Sequence, residues 1–231
     1  MSVRLHVLVE GETEERFVRR VLAPHLGAFE VFADARQVET SRRRHRVYRG
    51  GVISYEHVLR DLQRWMKEDG GGGTWFSTML DLYALPGDFP GFAEAARAPD
   101  PYVRAERLET AFANAVAHRP FVPYVQLHEF EALLLAEPQH LDWYFVEPDE
   151  QKAIQRLITL VAGWDSPELI DDGRETAPSK RIIAELPGYA NLKATVGTGV
   201  VEKIGLPRLR ERCPHFGRWV DRLERLGSAA D

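Results

Sequence analysis

The sequence predicts an α/β fold: a mainly parallel sheet flanked by helices, followed by a helical C-terminal part. Three observations carry this. Short β-branched runs alternate with amphipathic helical stretches over residues 1–136, the pattern of a parallel sheet with crossover helices. Residues 137–231 hold helical periodicity and no convincing strand. The chain of 231 residues is 44% hydrophobic and 28% charged, ordinary for a globular protein with a core of its own.

In order, Val3–Val9 is apolar and β-branched, a buried strand. Glu12–Ala23 follows as a helix with Phe17, Val18, Val21 and Leu22 on one side, closed by Pro24. Ala28–Ala33 alternates and reads as a second strand, before an arginine-rich loop. Tyr55, Val58, Leu59, Leu62 and Trp65 recur at helical spacing, so Ser54–Lys67 is a helix with Ser54 as its N-cap. Gly70–Gly73 turns the chain into a strand at Trp75–Leu80. Pro86, Gly87, Pro90 and Gly91 impose a structured loop, and Pro101–Ala117 is helical. Phe121–Leu127 is a strand that Pro123 confines to an edge or a bulge. Glu129–Ala136 starts a helix that is apolar almost all round, hence buried. Ile154, Leu157, Ile158 and Val161 mark one later helix; Phe216, Trp219, Val220 and Leu223 mark another. The expected division is an α/β domain over 1–136 and a helical subdomain over 137–231.

Composition excludes several classes. A single cysteine, Cys213, rules out an internal disulfide framework and a cysteine zinc cage, and fits a reducing compartment. No apolar run is long enough to span a membrane, and the N-terminal segment lacks a secretory pattern, so the expected location is the cytoplasm. No P-loop, GxSxG or HExxH motif is present. The net charge of −5 argues against wholesale DNA binding, but residues 36–49 hold six arginines against one glutamate. Arg42, Arg43, Arg44 and Arg46 either grip a phosphate backbone or form a solvated loop.

The chemistry is expected where strands end. Val3–Val9 runs into Glu10 and Trp75–Leu80 into Asp81, and sites in open α/β sheets form at the carboxyl ends of strands. Two such carboxylates side by side make hard oxygen ligands for magnesium or manganese. Gly11 permits a tight turn into the helix, and Glu14, one helical turn on, points back at the same site. Asp88 is a further ligand or an Asx turn. Glu129 and Glu131 flank the mouth of the fourth strand; two apart on a helix they diverge, so one enters the site.

The segment VLVEGETEERFV resembles the first motif of TOPRIM domains, a strand ending in a catalytic Glu followed by Gly. The whole chain resembles the bacterial domain-of-unknown-function family 4276 through VEGETEERFV, YRGGVISYEHVLRDL, FSTMLDLYALPGDFPG, YVQLHEFEALLLAEP, TAPSKRI and IGLPRLRERCPHFGRWVDRLE, in one order over nearly its full length. The resemblance implies a TOPRIM-like sheet related to overcoming-lysogenization-defect nucleases and to effectors of anti-phage systems. Such proteins are commonly encoded beside an ABC-type or AAA ATPase. It makes Glu10 the first-motif acid and Asp81 the first acid of an Asp-x-Asp motif whose second acid is Tyr83 here. That departure shifts metal binding onto Glu14, Asp88 or Glu129, or impairs it. Lys180 and Arg181 either bind phosphate or open a helix capped by Ser179. The expected function is a Mg/Mn-dependent nuclease, effector of a defence or toxin module. The alternative is an impaired subunit that binds and regulates a partner ATPase. Self-association into a homodimer is left open.

Overall fold

The computed structural model describes residues 2–43, 46–49, 54–118, 120–170 and 176–228; residues 40–43 and 46–49 are described through their backbone. Strand β1 (Val3–Val9) sits inside a parallel sheet. It pairs on one side with β2 (Val31–Gln37) over seven residues and on the other with β5 (Thr74–Asp81). Strands β3 (Glu39–Arg43) and β4 (Arg46–Arg49) form a separate antiparallel hairpin. Beyond β5 lie two short strands, β6 (Phe121–Val122) and β7 (Val125–Gln126), both parallel to β5.

Helices cover both faces. Alternation along β1 separates them: Val3, Leu5, Val7 and Val9 enter one core, Leu8 the other. The first core takes α1 (Glu12–Phe17), α2 (Ala23–Gly27) and residues from the helical C-terminal part. The second is built against α3 (Tyr55–Glu68) and α5 (Pro101–Val116) through Val58, Leu62, Trp65, Leu108 and Phe112. A short α4 (Phe92–Ala95) precedes α5. The remainder holds α6 (Pro148–Val161), α7 (Pro178–Glu185), α8 (Lys193–Ile204), α9 (Leu206–Arg212) and α10 (Pro214–Ser228). Among the described residues no strand follows Gln126.

Several expectations are corrected in detail. Pro24 does not close the first helix: Val18–Leu22 is a π-helical segment, and the wider turn lets the helical path continue through the proline to Gly27. Strand β2 therefore starts at Val31 instead of Ala28. Ser54 stands at the N-cap of α3 without capping it; its hydroxyl pairs with His57 Nδ1 at 2.7 Å. The expected strand Phe121–Leu127 is split at Pro123, which has no N–H for the ladder. The stretch Glu129–Ala136 is buried from Phe130 onward, as expected, but forms 3₁₀ turns at Phe130–Ala132 and Leu134–Ala136. Ala177, not Ser179, occupies the N-cap of α7.

Candidate active site

Because β1, β2, β5, β6 and β7 are parallel, their carboxyl ends lie at one edge of the sheet. Strict alternation would send Glu10 and Asp81 to opposite faces, since Leu8 and Met79 belong to different cores. The chain bends out of the strand at Glu10, and the two acids come together: the Asp81 N–H donates to Glu10 Oε2 at 3.3 Å. Both line a cavity of about 310 Å³. Asp81 Oδ1 is buried there without a hydrogen-bond partner, an arrangement that calls for a water or an ion.

Glu129 and Glu131 line the same cavity. The divergence expected of a helix does not occur. His128 has a left-handed backbone (φ 63°), which turns the chain sharply after β7. Glu129 is then extended (φ −147°, ψ 163°) and Glu131 sits in a 3₁₀ turn, so the two carboxylates converge. Glu129 Oε2 accepts the Ser179 N–H at 3.0 Å, satisfying a donor in the first turn of α7. Glu131 Oε1 accepts the Tyr189 hydroxyl at 3.2 Å and pairs with Lys193 Nζ at 3.0 Å. Lys180, exposed on α7, and Lys193, at the start of α8, supply the cations of the cavity wall. Tyr83 and Ala84 complete it.

Glu14 is buried and faces this cluster from α1 without lining the cavity. Its Oε2 accepts the Gly11 N–H at 3.0 Å. Gly11 is extended (φ −147°, ψ −168°), so no left-handed turn demands glycine. A Cβ at Gly11 would instead lie 3.2 Å from Glu14 Oε2.

Crowding of acids in a desolvated place raises their proton affinity. Burial, with repulsion from Glu129 and Glu131, outweighs the Asp81 N–H and Lys193 and pushes Glu10 up to about 7. Burial and the charges of Glu10 and Glu131 do the same to Glu14, also to about 7. Burial and then Glu10, Glu14 and Glu131 hold Asp81 well above the usual carboxylate range. Burial raises Glu131 too, against the opposing pull of Lys193. The site is short of positive charge. Among the described residues no three Asp, Glu, His or Cys side chains enclose an ion by themselves. A cation here would complete its shell with waters or substrate oxygens, the habit of magnesium.

Other candidates fall elsewhere. Asp88 is exposed and its Oδ1 accepts the Tyr55 N–H at 3.1 Å, capping α3 and not lining the cavity. Arg181 turns back on its own helix start, its Nε donating to Thr176 O at 2.8 Å. Arg42, Arg43 and Arg46 lie on the β3–β4 hairpin, and Arg44 lies outside the described residues. The hairpin leaves the sheet at the right end: the Val38 N–H donates to the carbonyl of Val9, the residue before Glu10. Its first residue, Glu39, is tied to α3 by a 2.6 Å bond from its N–H to Asp61 Oδ2 and by Arg64 at 3.0 Å.

The reading of the residues missed Glu131 as a second converging acid, and Lys193. Only the 3₁₀ geometry discloses the first. Nothing in the spacing marks the second, which reaches the site from the other end of the chain.

No helix among the described residues is long and apolar enough to cross a membrane. No curated protein and no solved structure matches the chain. The family described as Domain of unknown function (DUF4276) matches residues 9–224, a span that starts at the last residue of β1, ends in the last turns of α10 and takes in every residue of the cavity wall; the chain belongs to that family.

Proposed function

We propose that the chain is a divalent-cation-dependent phosphodiesterase acting on DNA or RNA in the cytoplasm, with a TOPRIM-like site. The observation that carries this is the convergence of Glu10, Asp81, Glu129 and Glu131 on one cavity at the carboxyl edge of a parallel sheet, with Lys180 and Lys193 beside them. The donor set fits magnesium or manganese: the oxygens are hard, the cluster is short of positive charge, and Asp81 Oδ1 has no partner. Asp81 and Glu10 would hold the cation, with Glu129 and Glu131 in reach of its waters. When bound, such an ion polarises a phosphate and eases deprotonation of water.

The chain's own groups supply the rest. Glu10 Oε2 is engaged by the Asp81 N–H, which leaves Oε1 for the cavity. Alternatively, with the cation held by Asp81 and the other acids, Glu10 serves as general base, since burial raises its proton affinity towards neutrality and suits it to take a proton from an attacking water. Lys193 and Tyr189 fix Glu131 in place. Lys180, exposed at the rim, meets a phosphate oxygen as a point charge. The arginine hairpin rises from the same sheet edge and would hold the backbone of a polyanion without reading its sequence. Within this reading the chain serves as effector of a defence or toxin module beside an ATPase, alone or as a homodimer.

Tyr83, where a second acid would complete an Asp-x-Asp pair, favours a second reading: a subunit with an impaired metal site that regulates a partner ATPase. One experiment separates them. Labelled single- and double-stranded DNA and RNA are incubated with Mg²⁺ or Mn²⁺, with and without any ATPase encoded beside the gene. Wild type should cleave, and Glu10→Gln and Asp81→Asn should lose roughly a hundred-fold or more while staying folded. Equal residual cleavage in all three proteins refutes the enzyme reading, and no cleavage by wild type with its partner present supports the regulatory one.

A further inference from the structure

Tyr83 belongs to two cavities. On one side it lines the carboxylate cavity; on the other it lines a second, apolar pocket of about 190 Å³. Leu82, Phe92, Ala96 and Leu108 form most of that pocket, and Arg104 lines it too. The volume lies below the roughly 300–1,000 Å³ of sites for drug-sized ligands, and suits a single flat ring system. One detail points to a ligand with a polar edge. Arg104 Nε is buried with no hydrogen-bond partner, although its Nη2 donates to Ala98 O at 3.1 Å. Tyr83 is held firmly: its N–H donates to His128 O at 3.2 Å, and the two rings pack with centroids 5.3 Å apart.

We propose that this pocket is a subsite for one unpaired base of a single-stranded nucleic acid whose phosphate lies in the carboxylate cavity. The inference rests on the phosphodiesterase reading and deepens it by naming the substrate class. A phosphate and its own base are neighbours along a nucleotide, and here a phosphate-type site and a ring-sized apolar pocket share one wall. Aromatic walls take any base by stacking, and a guanidinium N–H meets an acceptor on its edge. A base paired inside a duplex cannot enter without being pulled from its stack, so single strands are favoured. Tyr83, which breaks the expected pair of acids, then stands where the base and the phosphate meet.

The test uses the full chain with Ca²⁺ in place of Mg²⁺ or Mn²⁺, which supplies a cation for the carboxylates, and intact oligonucleotide is verified after each titration so that binding is read apart from cleavage. Fluorescence anisotropy follows a labelled single-stranded oligonucleotide, as DNA and as RNA, its duplex, and a set of single strands carrying one abasic position each. Ala96 is exposed at the end of α4, so Ala96→Trp fills the pocket from the surface without disturbing a buried residue. Wild type should prefer the single strand to the duplex and lose affinity when one register is abasic. Ala96→Trp should weaken single-strand binding by about 5- to 150-fold, leave duplex binding alone and become insensitive to the abasic position. Phe92→Ala is the second variant and should weaken single strands in the same way. An unchanged single-strand affinity in both variants, or equal binding of abasic and intact strands by wild type, overturns the base subsite. If Glu10→Gln still abolishes cleavage in that case, the phosphodiesterase reading stands alone; if wild type neither binds nor cleaves, both fall.

Discussion

Glu10 keeps its proton to about pH 7 because it is buried beside other acids, and Glu14 does the same one helical turn away. The consequence for stability has a definite sign. A carboxyl whose folded-state proton affinity exceeds that of the unfolded chain stabilises the fold below the unfolded value, about 4.5, and loses that contribution as pH rises towards 7. Above it, the folded protein carries repelling charges that the unfolded chain separates. Without divalent cation, Glu10→Gln should therefore gain melting temperature over wild type at pH 8 relative to pH 5, by about 2–4 °C for each kcal/mol of repulsion relieved. Added Mg²⁺ should raise the melting temperature of wild type more at pH 8 than at pH 5, because protons compete for the same oxygens. Thermal melts at the two pH values, with and without Mg²⁺, check both; a difference between variant and wild type that shrinks with pH would contradict the charge crowding. At this scale the sequence told half the site. Glu10 and Asp81 were legible because a hydrophobic strand that ends in an acid is hard to explain otherwise. Glu131 was hidden by the assumption of an α-helix after Leu127, which the left-handed His128 breaks.

Elements were legible where the apolar pattern was long. β1 matches its expected bounds, β5 exceeds them by one residue at each end, and α5 differs at one terminus, because buried runs and amphipathic faces leave little freedom. The errors sit at junctions. The alternation of Ala28–Ala33 straddles the end of a helical path and the start of β2, and the π segment that carries the chain through Pro24 has no sequence rule of comparable strength. The start of α7 is a junction of this kind, and its stability is tied to the site. Glu129 gives an acceptor to the Ser179 N–H, in a helix whose N-cap, Ala177, has no side-chain oxygen. Glu129→Ala should cost roughly 0.5–2 kcal/mol through the lost cap. The cost is read best near pH 5, where protonation of Glu10 and Glu14 removes the compensating relief of repulsion. Glu129→Gln keeps an acceptor oxygen and should recover most of the stability without restoring the charge in the cavity. Denaturant unfolding of the three proteins distinguishes the roles: if the alanine variant is as stable as wild type at pH 5, Glu129 does not support α7.

At the scale of the whole chain, the parallel sheet and the mostly helical C-terminal part are as the sequence predicts, while packing between them was beyond any local pattern. Within residues 1–136, the described cover of one face of the sheet is the helical path of residues 12–27 and the 3₁₀ turns of residues 130–136. Its core is shared with Leu157 of α6, Val196 and Val200 of α8, and Phe216, Trp219 and Leu223 of α10. Trp219 lies flat on Tyr124, with ring centroids 4.3 Å apart, and its Nε1 donates to Ser77 Oγ of β5 at 3.0 Å. Glu168, fully buried, accepts the His215 and Phe216 N–H groups at 2.9 Å each and so anchors the start of α10 beneath the sheet. Chain removed after Ala136 would thus expose apolar side chains and leave Ser77 without its indole partner. It would also take Lys180 and Lys193 out of the cavity wall. Burial of apolar surface is the main favourable term in folding, and a sheet domain stripped of one cover has too little of it. A fragment of residues 1–136 should therefore bind a hydrophobic dye, lack a sharp near-ultraviolet circular dichroism signal and melt without cooperativity, whereas the full chain should unfold in a single transition. A fragment that is soluble and melts cooperatively would instead make residues 137–231 a separable subdomain, and would leave the acids of the site to be tested without their lysines.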